Sequence, residues 1–144
     1  KMVQNKTIVI ASGSFNPLHK GHIEYLNQSK HLGDFLYVIV NSDHQRILKN
    51  SKEFQKENER LIIIKNLKAV DFAMISIDLD RSVVKSIKKI YDEKYLKCSF
   101  IFTNGGDQFT VNSPEKEICG SLGIRIIDGL GEKIQSSSNL LKKI

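Results

Sequence analysis

Apolar residues along the chain fall into short runs separated by longer stretches of mixed polarity. The runs are rich in Val, Ile and Phe, residues that favour β-strands. They predict five strands, over residues 7–11, 35–41, 70–77, 98–103 and 124–128. Runs that are continuously apolar, rather than alternating with polar residues, are typical of strands buried on both faces of a parallel sheet.

The stretches between these runs carry the spacing of amphipathic helices. Residues 82–94 place five apolar side chains on one helical face, with Ser82 as the expected N-cap. Further helices are predicted over 22–32, 58–67, 113–122 and 136–144. The polar, lysine-bearing stretch 42–57 lacks this spacing, and we expect it to be a mobile loop over a site.

Strands that alternate with helices in this way predict an α/β fold. We expect a Rossmann-like, three-layer arrangement with a five-stranded parallel sheet covered by helices on both faces. The 144 residues favour a single domain over 1–144, and neither a repeat nor a linker divides the chain. Sheets of this type bind ligands beyond the carboxyl ends of their strands.

Composition and charge narrow the classes of function. Only two cysteines are present, Cys98 and Cys119, which excludes a disulfide framework and predicts a reduced, cytoplasmic protein. The apolar runs are too short to span a membrane. The net charge of +6 suits a phosphate-bearing ligand. The aromatic residues are not interleaved with the basic ones as in RNA-binding proteins, so we expect no nucleic-acid partner.

The sequence GSFNPLHKGH joins the first predicted strand to the first helix. Its two histidines, His19 and His22, therefore lie at the carboxyl end of a strand and the N-terminus of a helix. Helix N-termini attract phosphate, and imidazole N–H groups there can donate hydrogen bonds to phosphate oxygens. The alternatives are a turn residue followed by a helix cap, or a metal pair, for which no further ligand has suitable spacing.

This segment resembles the HxGH signature of the nucleotidyltransferase superfamily. That superfamily includes glycerol-3-phosphate and phosphocholine cytidylyltransferases, and heptose-phosphate and pantetheine-phosphate adenylyltransferases. Its order of motifs is similar over nearly the whole chain, at SKHLGDFLYVIVNSD (29–43), ENER (57–60), NGGD (104–107) and KIQSSSNLLKKI (133–144). The resemblance implies direct attack of a substrate phosphate or phosphonate oxygen on the α-phosphorus of a nucleoside triphosphate, with release of pyrophosphate.

The resemblance also implies roles for individual residues. His19 and His22 would stabilise the transition state at the phosphates, with Lys49 as a third catalytic group. The expected nucleotide-binding residues are Ser12, Gly13, Ser14, Phe15, His19, His22, Gly105, Asp107, Ser136, Ser137 and Ser138, and the expected substrate-binding residues are Asp43, Lys49 and Arg60. The first turn would act through its backbone N–H groups. Lys133 stands where glycerol-phosphate relatives carry an arginine.

Several alternatives stay open at this point. Lys49 could be merely solvated, and Arg60 could pair with Glu57 or Glu59. Mg²⁺ is expected with the triphosphate, held by no assigned protein residue. CTP is favoured over ATP, and the acceptor is expected to be a small phosphorylated alcohol, sugar or phosphonate. An adenylyltransferase of the heptose-phosphate type, or a nucleotide-binding module without turnover, is the alternative. Many relatives form homodimers, but no segment here identifies an interface.

Overall fold

The computed structural model describes residues 5–106 and 113–131. Strands and helices alternate along these residues. In chain order they are β1 (Lys6–Gly13), α1 (Lys20–Lys30), β2 (Phe35–Val40), α2 (Asp43–Leu48), α3 (Glu57–Lys65), β3 (Phe72–Ile75), α4 (Val84–Lys94), β4 (Cys98–Gly105), α5 (Pro114–Leu122) and β5 (Arg125–Leu130). The five strands form one parallel sheet in the order β3-β2-β1-β4-β5. The predicted α/β fold with a five-stranded parallel sheet is confirmed.

Each face of the sheet carries its own apolar core. Side chains from β1 alternate between the faces, so Val9 packs with Leu26 of α1 and Ile64 of α3. The next residue, Ile10, packs on the opposite face with Ile87 of α4. Both strand residues are fully buried, which explains why the strands are continuously apolar in sequence.

The stretch 42–57 is not wholly irregular, because Asp43–Leu48 forms the short helix α2. Ser42 and Gln45 form a reciprocal capping box at its N-terminus. The Gln45 side chain is buried and donates hydrogen bonds to the backbone oxygens of Asp80 and Ser82. The prediction of a loop was therefore wrong for these residues, since polar contacts rather than an apolar face hold the helix.

The start of α4 also differs from the prediction. The helix begins at Val84, and its N-cap is Val83 instead of Ser82. The buried carboxylate of Asp78 accepts hydrogen bonds from the backbone N–H groups of Lys85 (2.7 Å) and Ser86 (2.9 Å). A residue outside the helix thus satisfies its first N–H groups. The helix predicted over 136–144 lies outside the described residues.

The sheet order places a ligand-binding position beside β1. β1 pairs with β2 on one side and with β4 on the other, so the crossover connections leave in opposite directions at the carboxyl ends of β1 and β4. A crevice forms at such a reversal in open parallel sheets. Within the described residues, no helix is long and apolar enough to cross a membrane.

Candidate active site

The turn after β1 is fixed by a buried aromatic ring. Phe15 is 2% exposed and has a φ of 50°, in the left-handed region. Its ring packs directly over Gly13, where an added Cβ would lie 2.8 Å from Phe15 Cζ. Glycine is therefore needed at this position for close approach. The turn delivers the chain to the N-terminus of α1 beside the crevice.

The two predicted histidines cap α1 with one ring nitrogen each. His19 Nδ1 accepts the backbone N–H of Gly21 (3.1 Å), and His22 Nδ1 accepts the backbone N–H of His19 (3.1 Å). An imidazole that accepts through Nδ1 carries its ring proton on Nε2 when neutral. The geometry thus assigns an Nε2–H donor to each ring. The rings are stacked, with centroids 3.8 Å apart.

The neighbourhood of His22 keeps its imidazole neutral. Burial, followed by repulsion from His19, lowers the pKa of His22 from 6.5 to about 4. The edge of the Phe15 ring contributes to this burial, at a centroid distance of 5.1 Å. At neutral pH the ring is therefore a hydrogen-bond donor through Nε2 with no positive charge of its own.

Each histidine serves both as a helix cap and as a donor for a ligand, two roles that the sequence left as alternatives. Their Nδ1 atoms serve as helix caps, while their Nε2–H groups are left to bind a ligand. His19 is solvent-exposed and His22 is half-buried, so a ligand can reach the pair. Adjacent donors at the positive end of a helix fit the oxygens of a phosphate chain.

The backbone N–H of Ser12 has a hydrogen-bond partner inside the protein. Its backbone N–H donates to the hydroxyl of Tyr25 (3.3 Å), which removes it from the N–H groups predicted to face phosphate. Tyr25 donates in turn to the backbone oxygen of Thr103 on β4 (2.8 Å). Burial raises the pKa of Tyr25 to about 12, so the hydroxyl stays protonated. Tyr25 thereby joins α1 to the ends of β1 and β4.

Arg60 holds the same turn from inside the protein. It is 1% exposed and donates to the backbone oxygens of Ser14 (2.9 Å) and Asn41 (2.7 Å). Its ion pair is with Asp43 (2.9 Å), instead of the Glu57 or Glu59 considered from the sequence. Most of its donor capacity is already used by protein oxygens, so Arg60 and Asp43 are placed to position the turn. Their predicted substrate-binding roles stay predictions.

Asn16 fastens a second segment to the turn. Its Nδ2 donates to the backbone oxygen of Lys52 (2.7 Å), and its Oδ1 accepts the backbone N–H groups of Phe54 (3.1 Å) and Gln55 (3.0 Å). These three hydrogen bonds of one side chain hold residues 52–55 against the turn that precedes the histidine pair. The role of Asn16 could not be predicted from the sequence, because its partners are more than thirty positions away.

Lys49 lies at the C-cap of α2 among other charged side chains. Although Lys49 is exposed, its pKa is lowered, mainly because neighbouring atoms remove part of its hydration. The charge of Glu115 opposes this shift, and the charge of Arg81 adds to it. The structure thus groups Lys49 with Arg81 and Glu115, which the sequence did not connect to it. Its predicted catalytic and substrate-binding roles stay predictions.

The end of β4 carries one of the predicted nucleotide contacts. Gly105 ends β4, and the neighbouring Asn104 donates to the Asp128 carboxylate (3.0 Å) on β5. Asp107, Lys133, Ser136, Ser137 and Ser138 lie outside the described residues. Their predicted roles therefore stay predictions.

The end of β5 runs to the first turn of α1. Gly131 has a φ of 81°, and an added Cβ would lie 3.3 Å from the backbone oxygen of Gly21. Its N–H donates to the side-chain oxygen of Gln28 (3.0 Å). The described chain after β5 therefore reaches the helix turn that carries both histidines.

The site offers phosphate donors and few groups for a metal. Among residues 5–106 and 113–131, no three His, Cys, Asp or Glu side chains are grouped to hold a metal ion. The carboxylate of Asp43 is engaged by Arg60 and by the backbone N–H of Glu57 (3.3 Å).

Comparison with known proteins places this site in a family. The cytidylyltransferase-like family model matches residues 10–126. The FAD synthases of Methanocorpusculum labreanum and Picrophilus torridus are 32% and 33% identical to the chain, over 92% and 94% of its length and 91% and 94% of their own. The crystal structure of the lipopolysaccharide core biosynthesis protein from Thermoplasma volcanium is similar at a TM-score of 0.69 and 30% identity, covering 90% of this chain and all of that one. The chain belongs to the cytidylyltransferase-like family of nucleotidyltransferases.

Proposed function

We propose that this nucleotidyltransferase transfers AMP from ATP to the phosphate of FMN and so forms FAD and pyrophosphate. The observation that carries the proposed chemistry is the pair of stacked imidazoles whose Nδ1 atoms are held by backbone N–H groups. The choice of nucleotide and acceptor is supported by the FAD synthases, which match the chain over more than nine-tenths of its length.

The proposed reaction is a single in-line displacement. An oxygen of the FMN phosphate attacks the α-phosphorus of ATP, and the bond from that phosphorus to the β-phosphate bridge breaks. The Nε2–H groups of His19 and His22 donate to the oxygens on which negative charge increases. Donors that are fixed in place before the reaction stabilise such a transition state strongly. Magnesium bound to the triphosphate would offset part of its charge.

This proposal replaces the preference for cytidylyl transfer drawn from the sequence. That preference rested on motifs that cytidylyl- and adenylyltransferases share, and the FAD synthase relatives do not support it. The FAD synthases likewise do not support a small phosphorylated alcohol or sugar as acceptor, whereas the similarity to the lipopolysaccharide core biosynthesis protein keeps a sugar phosphate as the second candidate acceptor. The adenylyl alternative is the better supported one.

The other predicted contacts complete the proposed site. Gly13, Ser14 and Phe15 would contribute backbone N–H groups to the phosphates, together with Ser136, Ser137 and Ser138. Gly105 and Asp107 would contact the ribose or base of ATP. Lys49 would hold the acceptor phosphate or the triphosphate. Arg60 and Asp43 would keep the turn in place from behind, in keeping with the burial of Arg60.

The experiment that tests this function measures products from defined mixtures. The protein is incubated with magnesium, one of the four ribonucleoside triphosphates, and FMN, glycerol 3-phosphate or a heptose phosphate. FAD is separated by chromatography and pyrophosphate is measured independently. We expect FAD and equimolar pyrophosphate from ATP and FMN. Pyrophosphate from another acceptor alone would contradict the choice of FMN, and no turnover of any pair would favour a binding module.

A further inference from the structure

Phe54 lies in the 52–55 segment that Asn16 fastens to the turn after β1, and its side chain is exposed to solvent. It is 71% exposed, whereas Phe15, Phe100 and Phe102 are buried in the described core. An aromatic ring in water forgoes the gain from burying its apolar surface. A single exposed apolar side chain is common on protein surfaces. Phe54 differs from the other exposed apolar residues of the described chain because its backbone is hydrogen-bonded to the turn after β1.

The backbone of Phe54 is fastened to the turn that carries the histidines. Asn16 Oδ1 accepts its N–H (3.1 Å) and that of Gln55 (3.0 Å). Arg60 adds a second connection, because its Nε donates to the backbone oxygen of Gln55 (3.0 Å) while its Nη1 donates to that of Ser14 (2.9 Å). The backbone beside Phe54 is therefore held in place while its ring stays open to solvent.

We infer, resting on the proposed function, that Phe54 is the surface on which the flavin ring of FMN stacks during adenylyl transfer. The phosphate of FMN must reach the histidine pair, and its flat ring system lies at the other end of the ribityl chain. An exposed aromatic ring on a backbone that is fastened to the turn suits that flat ring, since aromatic rings attract one another in offset stacked geometry. Phe54 would thus favour flavin over aliphatic phosphates, which offer no ring to stack.

Fluorescence titration tests this inference without turnover. Binding to a protein slows the tumbling of FMN and raises the anisotropy of its fluorescence, so this anisotropy is followed as wild-type protein, Phe54→Ala, Phe54→Leu or Phe54→Tyr is added. We expect Phe54→Ala and Phe54→Leu to weaken FMN binding on the order of tenfold to a hundredfold, the range that stacking of a flat base on an aromatic side chain spans. Phe54→Tyr keeps a planar ring and should bind FMN like the wild type.

A control variant separates stacking from a general effect of surface change. Leu96→Ala removes an equally exposed apolar side chain (78%) just before β4, at the amino end of the sheet and away from the site. It should bind FMN like the wild type. In steady-state assays, the KM for FMN should rise in Phe54→Ala with little change in the KM for ATP.

The outcomes distinguish this inference from the proposed function. If the wild type forms FAD while Phe54→Ala binds FMN equally well, the stacking role is wrong and FAD synthesis stands. If Phe54→Leu binds like the wild type, apolar contact rather than ring stacking is responsible, and the inference also fails. If the wild type neither binds FMN nor forms FAD, the proposed acceptor is wrong.

Discussion

At the scale of single residues, each histidine of the pair uses Nδ1 to cap α1 and offers Nε2–H to a ligand. Asparagine separates these tasks, because its side-chain oxygen can take the place of Nδ1 as the helix-capping acceptor, while its shorter side chain has no donor at the position of Nε2–H. We expect His19→Asn and His22→Asn to lower the turnover rate on the order of a hundredfold or more. Their melting temperatures should stay within a few degrees of the wild type.

The matching alanine variants remove both tasks at once. His19→Ala should lose the same activity and, in addition, about 1 kcal/mol of stability through the missing cap at Gly21. Comparing turnover and thermal denaturation of the two variants isolates the contribution of the cap. An asparagine variant that keeps full activity would show that Nε2 does not act in the reaction.

The lowered pKa of His22 predicts a dependence of stability on pH. Its pKa is about 4 in the folded protein and 6.5 without the surrounding structure. Between these values the unfolded chain binds the proton more readily, so stability should rise with pH over this window and fall on acidification. The full shift corresponds to about 3 kcal/mol, and solvent around the half-buried ring reduces it.

Thermal denaturation between pH 4 and pH 7 measures this contribution. His22→Asn carries no titrating group at this position, so the difference in unfolding free energy between wild type and variant should change across the window. A constant difference would show that His22 titrates normally in the folded protein.

At the scale of elements, hydrogen bonds between two connecting segments, the turn after β1 and residues 52–55, hold the candidate site together. Asn16→Ala removes three hydrogen bonds that hold residues 52–55 on the turn. We expect faster hydrogen exchange at the Phe54 and Gln55 amides, because these N–H groups lose their acceptor. The protein should be destabilised by roughly 1–3 kcal/mol, the usual cost of leaving polar groups unpaired.

An asparagine elsewhere in the chain supplies the control. Asn66 ends α3 and donates one local hydrogen bond to the backbone oxygen of Ile62. Asn66→Ala should leave exchange at Phe54 and Gln55 unchanged, and hydrogen-exchange mass spectrometry of the 50–56 segment reads both variants. Equal exchange in the wild type and Asn16→Ala would contradict the fastening role of Asn16.

The sequence predicted the elements that are built on apolar patterns and missed one that is built on polar contacts. All five strands were placed within a few residues, because a buried parallel sheet requires continuous apolar runs. The helix α2 was missed because its capping residues, Ser42 and Gln45, are polar and its packing partners lie in the loop before α4. Distant polar partners leave no periodic signal along the chain.

The same reasoning applies to the site as a whole. His19 and His22 could be predicted because a local motif places both on one helix turn. Tyr25 and Asn16 could not, since their partners on β4 and in the 52–55 segment are brought near only by the complete fold. Ser12 was expected to face phosphate, but its N–H is taken by Tyr25, which α1 places against β1.

At the scale of the whole molecule, specific binding has to be separated from general attraction. The net charge of +6 attracts any polyphosphate, whatever its base. A ligand at about a hundred times its dissociation constant adds roughly 2.7 kcal/mol to stability. For a chain of 144 residues this raises the melting temperature by several degrees.

Melting temperatures with magnesium and each ribonucleoside triphosphate make that separation, with inorganic triphosphate as the control for charge. We expect ATP to raise the melting temperature more than CTP, GTP or UTP, because base recognition adds to the attraction that all share. Raising the salt concentration should remove the shift with inorganic triphosphate and retain most of the shift with ATP, since salt screens the exposed charges. Equal shifts with all five compounds would mean that charge alone binds them, and a larger shift with CTP would favour cytidylyl transfer.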